Sequence, residues 1–328
     1  MVNSKNSLNN AKLLSSRIFL TGASGCVGSY VLSTLLEQTQ CTIFALIRQP
    51  EKLPEAIQNH PRLRILVGDL ASIADWQSEI SQTEVLIHTA VQWGGPGVYQ
   101  VNHSQSLKLF NYLDPMLCRQ IFYFSTASLL NGKGQFSPRS LSAGTDYIRS
   151  KAACYLSLHQ SQWRSKLIFL YPTVVLGGDQ THPFSAASQG LKELHTWMPW
   201  LRYLKAEGAF HWIHAEDIAH LILNWLQHPP TEQELVLGNP AQSVNQVLSE
   251  LSLYTQTKTM PLLSLERLFP LLLPLLSQRM SDWDRHSLRE RSLIYNSFFP
   301  ERLGLDSRFK ELSEVLRQLE IPNKRRSP

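Results

Sequence analysis

From residue 17 onward, short apolar runs alternate with stretches of helical periodicity. Six runs read as strands: Arg17–Leu20, Cys41–Ile47, Leu63–Val67, Val85–His88, Ile121–Ser125 and Lys166–Leu170. They are nearly continuous in apolar residues, as expected of strands covered on both faces. Between the first two, the spacing predicts a helix over Val27–Glu37, with Val27, Val31, Leu32, Leu35 and Leu36 on one face. Strands and helices joined by right-handed crossovers predict an α/β fold, a Rossmann-type doubly wound parallel sheet. After residue 176 the regularity breaks at Gly177-Gly178-Asp179. A strand-like segment at Ala209–Ile213, a helix from about Glu216 to Leu226 and a buried strand around Leu235–Gly238 follow, and the remainder reads as helical with proline breaks.

The segment Thr21-Gly22-Ala23-Ser24-Gly25-Cys26-Val27-Gly28 lies where the first strand turns into the first helix. Glycines in that context allow a tight turn, a close backbone approach to a pyrophosphate and close packing of helix on strand. The helix N-terminus then offers free N–H groups and a positive dipole end to phosphate. Gly22, Ser24, Gly25, Cys26, Val27 and Gly28 are therefore the candidate cradle of a dinucleotide. Cofactor choice is read from the end of the second strand, where an acid binds the ribose 2′-OH of NAD and an Arg accommodates a 2′-phosphate. The strand ends Leu46-Ile47-Arg48-Gln49-Pro50, with no acid before Glu51. Arg48 thus favours NADP, with NAD the alternative.

The most informative stretch is Tyr147-Ile148-Arg149-Ser150-Lys151. Side chains at i and i+4 share one helix face, so the ammonium can sit near the phenol. A free tyrosine, with a pKa of about 10, is a poor acid–base group at neutral pH, and a neighbouring cation lowers it. Lys151 is also expected to hold the nicotinamide ribose hydroxyls.

These motifs resemble the extended and atypical short-chain dehydrogenase/reductase family, the NAD-dependent epimerase/dehydratase-like proteins. The likeness spans about residues 16–320 and rests on the Gly-x-x-Gly-x-x-Gly spacing, on Tyr147-x-x-x-Lys151 and on Ser125-Thr126-Ala127-Ser128 at the end of the fifth strand. The resemblance implies that Tyr147 is the acid–base, that Lys151 lowers its pKa and that Thr126, with Ser125 the alternative, binds the substrate oxygen. It also implies that Asp69 and Leu70 contact adenine, and that His88, Thr89 and Ala90 line the nicotinamide-side ribose. Tyr171, Pro172 and Val174 correspond to the stretch bordering nicotinamide, and Asn102 to a residue tying its helix to the active-site strand. Asp217 and His214 are expected to serve the start of a helix. Two departures stand out. Tyr171 and Val174 occupy positions where the nucleotide-sugar enzymes of the family carry Arg and Asn, and no acidic pair follows Thr126. The implied activity is NADP-dependent hydride transfer between nicotinamide and a carbonyl or alcohol of a small, apolar substrate. A transient-redox epimerase or isomerase and a catalytically idle NAD(P)-binding protein are the alternatives. The expected organisation is a disordered leader over 1–16, a nucleotide-binding domain over 17–176 with Tyr147 and Lys151, and a substrate lobe over 177–328 whose segment 209–239 returns to the core.

Bulk properties refine this picture only slightly. The chain has 328 residues, 43% hydrophobic and 17% charged, with net charge +5. A mild basic excess suits an anionic cofactor, and its scattered residues give no nucleic-acid footprint. Cys26, Cys41, Cys118 and Cys154 lack any metal or disulfide spacing and read as reduced, buried thiols, so no metal is expected. The leucine-rich run Leu262–Leu276 contains Glu266, Arg267, Pro270 and Pro274, which argues against a transmembrane span. It is expected to cap the substrate lobe, with peripheral membrane contact the alternative. A cytoplasmic location is expected from the reduced thiols and from a Ser- and Asn-rich start without a continuous apolar run, and the resemblance implies a homodimer.

Overall fold

The computed structural model describes residues 16–265, 283 and 293–322. The apolar runs form strands β1 (Arg17–Thr21), β2 (Thr42–Ile47), β3 (Leu63–Val67), β4 (Val85–His88), β5 (Gln120–Phe124) and β6 (Leu167–Pro172). Beyond β6 come the short strands β7 (Val174–Leu176), β8 (Leu204–Lys205), β9 (Ala209–Phe210) and β10 (Trp212–His214), then β11 (Glu234–Leu237), β12 (Gln242–Ser243) and β13 (Leu263–Ser264). Seven of them make one parallel sheet in the order β11-β6-β5-β4-β1-β2-β3. The order reverses between β1 and β4, so loops leaving their carboxyl ends diverge to opposite faces and open a crevice.

Seven helices matter for the argument: α1 (Cys26–Gln38), α2 (Ser106–Asn111), α3 (Asp146–His159), α4 (Ala186–Leu194), α5 (Ala215–Gln227), α6 (Val244–Thr255) and α7 (Leu312–Gln318). One face of the sheet is covered by α1 and α5, with Val31, Leu35, Ile218, Ile222 and Trp225 in a common core. The other face carries α2 and α3, burying Phe19, Leu86, Phe110, Tyr123 and Cys154. A third cluster, including Leu176, Trp212, Leu251, Phe309 and Leu316, binds α6 and α7 to the segment after β6. The sheet is therefore double-sided, which is why its strands lack polar alternation.

Three local expectations change. The irregular stretch after residue 177 contains α4, started by Ser185, whose hydroxyl accepts from Ser188 N–H at 3.0 Å. The single strand expected at 209–213 is broken at His211, so that β9 pairs with β12 and β10 with β7. At the start of the leucine run, Leu263 and Ser264 pair with Leu204 and Lys205 as a short strand rather than a helix. Residues 266–276 of that run, the expected leader up to residue 15 and the basic end at 323–328 lie outside the described residues. Among the described residues no helix is long and apolar enough to cross a membrane.

Candidate functional site

The glycine loop is shaped by contacts that leave no space for side chains. Gly22 has φ +74°, and a Cβ there would lie 2.5 Å from Thr89 Oγ1. A Cβ on Gly28 would lie 2.1 Å from the Gly22 carbonyl oxygen, so α1 can press onto the loop only with glycine at 28. Gly25 is different: it is exposed, and a Cβ would stand 3.3 Å from its nearest neighbour. Its N–H donates to Gly22 O at 2.9 Å, and it caps α1 with no side-chain acceptor and no acid in the first turn. An uncapped helix end above a glycine cradle fits a phosphate group. Ser24, Cys26 and Val27 lie partly exposed around it. Burial pushes the Cys26 thiol up to about 12, aided by the Asp179 charge.

The loop is sewn to the end of β4. Thr21 Oγ1 meets His88 Nδ1 at 2.7 Å, and His88 Nε2 meets Ser106 Oγ at 3.0 Å. Ala90 N–H donates to Thr21 Oγ1 at 3.2 Å, and Thr89 Oγ1 to Thr21 O at 2.7 Å. His88 is fully buried, and burial, with a smaller contribution from the Lys151 charge, lowers its pKa to about 3. His88 is thus a neutral strut beneath the crevice, while Thr89 and Ala90 reach its partly exposed surface. Arg48 is exposed at the end of β2. Asp69 accepts from Ala71 N–H at 2.7 Å and starts the turn in which Leu70 is buried. Tyr171 is buried and donates its hydroxyl to Glu234 Oε2 at 3.2 Å, so its polar end is turned into the protein. Pro172 is partly buried, whereas Val174 is exposed.

Across the crevice, α3 begins at Thr145, whose hydroxyl accepts from Ile148 N–H. Tyr147 and Lys151 fall on its inner face, 8% and 2% exposed. Lys151 Nζ donates to the Phe124 carbonyl at the end of β5 at 2.7 Å and lies 4.8 Å over the Tyr123 ring. Burial lowers its pKa to about 8. Thr126 caps the turn Ala127–Leu129, accepting from Ser128 N–H at 3.2 Å, and its hydroxyl lies near enough to the Tyr147 phenol to favour the phenolate. Ser125 is buried, and its Oγ has no partner among the described residues. The expected lowering of the phenol pKa is not present in this geometry: burial raises it above the usual range, and the Thr126 hydroxyl only partly opposes this. The ammonium is spent on Phe124 O instead.

The family description of the NAD dependent epimerase/dehydratase proteins matches residues 18–238. The chain belongs to this family. One curated relative, a 3-beta-hydroxysteroid dehydrogenase of Mycolicibacterium neoaurum, is 31% identical over 74 residues, covering 23% of this chain and 19% of that protein's length. The enzyme WbmG of Bordetella bronchiseptica, solved with NAD, superposes with a TM-score of 0.66 at 14% identity, over 93% of each chain. Vestitone reductase from alfalfa (Medicago sativa L.) gives 0.65 at 14% identity, over 93% of this chain and 97% of its own. Identities this low establish a shared fold alone.

Two features of this epimerase/dehydratase-family chain were not read from its sequence. Asn102 was expected to tie its helix to the active-site strand, yet it clamps a loop. Its side chain accepts from Gln92 N–H at 2.8 Å and donates to Gln92 O at 2.8 Å and to Ser150 Oγ on α3 at 3.0 Å. That loop carries Trp93, whose ring centroid lies 4.5 Å from that of Tyr147. A tryptophan set between Gln92 and Gly94-Gly95-Pro96-Gly97 is the signal that could have drawn attention to it. His214 caps α5, accepting from Glu216 N–H at 3.2 Å, and Asp217 sits buried in its first turn, as expected of helix-start residues.

Proposed function

We propose that the protein is an NADP-dependent oxidoreductase acting on a carbonyl or alcohol of a small, apolar substrate. The observation that carries the reading is that α3 buries Tyr147 and Lys151 on one face, against the end of β5 where Thr126 caps the turn. Residues 17–176 form the nucleotide-binding part and 177–328 the substrate lobe, with 209–239 returning to the core. Gly22, Ser24, Gly25 and the first turn of α1 would hold the pyrophosphate, Asp69 and Leu70 the adenine side, and Arg48 a 2′-phosphate. Thr89, Ala90, Lys151, Pro172 and Val174 border the nicotinamide end. The bound nucleotide supplies or accepts the hydride. Tyr147 gives its hydroxyl proton to the substrate oxygen in reduction and takes it back in oxidation. Thr126 donates a hydrogen bond to the same oxygen. Once Lys151 turns from Phe124 O toward ribose hydroxyls and phenol, its charge stabilises the phenolate.

The redox reading is preferred over an epimerase because Tyr171 is buried against Glu234 and Val174 is apolar, which leaves no polar anchor there for a sugar diphosphate. The steroid dehydrogenase likeness, though short, points the same way. The test is turnover of a panel of ketones and aldehydes with NADPH. Tyr147→Phe is expected to lower turnover by a factor on the order of 10² to 10⁴, the usual worth of general acid–base catalysis, with NADPH affinity nearly unchanged. Near-normal turnover in that variant would remove the oxidoreductase assignment and favour an idle nucleotide-binding protein.

A further inference from the structure

A single exposed indole needs no explanation by itself. What distinguishes Trp93 is where its other face rests. It is 71% exposed, yet its ring is tilted 33° onto Tyr147 at a centroid distance of 4.5 Å, while Tyr147 is 8% exposed. One face of the indole therefore covers the phenol and the other is open.

The placement is built into the fold. The Gln92 amide donates to Gly94 O at 3.0 Å and to Pro96 O at 2.8 Å, closing the loop from inside. Asn102 then ties the Gln92 backbone to Ser150, which stands between Tyr147 and Lys151 on α3. The base of the loop is thus fixed to the helix that carries the acid–base pair. Its tip is not: Gly95 and Gly97 have φ of +82° and +85°, and Cβ atoms at Gly94 and Gly97 would meet open space. Trp93 sits on a glycine turn that can yield, hung from a rigid clamp.

We propose that Trp93 is the specificity-determining residue of this site: as its glycine turn yields, the indole lifts off the phenol, and a flat ring ketone or ring alcohol stacks on the freed face with its oxygen against Tyr147. The substrate class rests on the oxidoreductase reading, whereas the stacking subsite itself does not. A flat ring gains face contact with the indole, worth more than its area alone. An acyclic chain of equal carbon count gains only area.

The experiment measures binding of 2-tetralone and 2-decanone, ketones of equal carbon count, to the protein saturated with NADP⁺, in which neither can be reduced. Wild type is expected to favour tetralone. Trp93→Ala should weaken tetralone binding about tenfold and decanone binding less than about twofold, the scale of one lost aromatic pair. Trp93→Phe should retain most of the preference, and NADP⁺ affinity should be unchanged in both variants. An unchanged tetralone-to-decanone ratio in Trp93→Ala, or no preference in wild type, overturns the proposal. The function reading fails separately: Trp93-dependent tetralone binding without NADPH oxidation would leave the subsite standing and remove the reaction.

Discussion

Burial moves the proton affinities of Tyr147 and Lys151 in opposite directions, the phenol upward and the ammonium down to about 8. Both shifts disfavour the charged form, and both are what a dry crevice imposes before an anionic ligand enters. The folded pKa of Lys151 is below its ordinary 10.5, so between about 8 and 10.5 the unfolded chain holds the extra proton. Its buried charge therefore costs stability below about 8, and the cost is relieved as pH rises from there. Ligand binding should run the other way. NADPH affinity, followed by cofactor fluorescence from pH 6 to 9, is expected to weaken as pH passes through about 8 and Lys151 loses its charge. Lys151→Met should bind weakly at every pH, and a profile in wild type that is flat across that range would remove Lys151 from the cofactor site. Thr126→Ala should lower turnover more than Ser125→Ala, because the Thr126 hydroxyl favours the Tyr147 phenolate while Ser125 is buried. At the far end of the crevice, Arg48→Asp should shift the ratio of NADPH to NADH dissociation constants toward NADH by reversing the charge offered to the 2′-phosphate. Equal affinities in wild type would exclude that role.

The β1–α1 turn shows how one element can separate packing from binding. Gly28 touches the backbone of Gly22, whereas Gly25 faces outward at the uncapped helix end. Gly28→Ala is expected to lower stability by about 1–3 kcal/mol, the usual cost of overpacking a fixed backbone, visible as a reduced melting temperature. Gly25→Ala would set its methyl group 3.3 Å from the Gly22 carbonyl oxygen, a tight contact that a small shift relieves, and should melt closer to wild type than Gly28→Ala. Its Cβ would nevertheless stand where a pyrophosphate must approach, so NADPH affinity is expected to drop. Comparable melting losses in the two variants would show that the loop is only a tight turn. The α3 element divides its labour in the same way: Thr145 starts the helix, Ser150 takes the loop clamp, and Tyr147 and Lys151 face the crevice.

The whole molecule is closed by contacts between the sheet and the C-terminal segment, and one of them is electrostatically costly. Asp217, 1% exposed in the first turn of α5, has its pKa raised to about 7 by burial, with Glu301 and Glu216 adding to the rise and Ser307 and Lys310 opposing it. The unfolded chain releases this proton near 3.8 but the folded one holds it to about 7. Stability is thus undiminished below 3.8, falls as pH rises toward 7 and carries the full penalty above it. Asp217→Asn should therefore gain on wild type as pH increases from 4 to 8, by on the order of 2–4 kcal/mol at the upper end. Urea unfolding at several pH values measures this, and a gain that does not grow with pH would contradict it. A second set of contacts binds α1 to the same C-terminal region: Tyr30 donates to Asp179 at 3.1 Å and stacks on His182, and Gln318 donates to both Tyr30 and Asp179. His182 also meets Ser33 at 3.2 Å. These groups have the order of a hydrolase triad, but Ser33 lies inside α1, where the helix's own bonds leave no N–H groups to stabilise an oxyanion, so the cluster acts as a latch.

What the sequence determined by itself is whatever local pattern encodes. Buried parallel strands must be apolar on both faces, so β1 to β6 were legible within a residue or two. Gly22 and Gly28 were legible because a strand-to-helix turn admits no other residue, and Tyr147 with Lys151 because a helix repeats its faces every three to four positions. The tertiary structure alone decided what depends on residues far apart in the chain. It turned Lys151 toward Phe124 O, buried His88 and Tyr171, and brought Trp93 onto the phenol through Asn102 and Ser150. Periodicity reports which face a side chain takes, but a contact between loops also requires the register of the whole sheet, and no local window contains it.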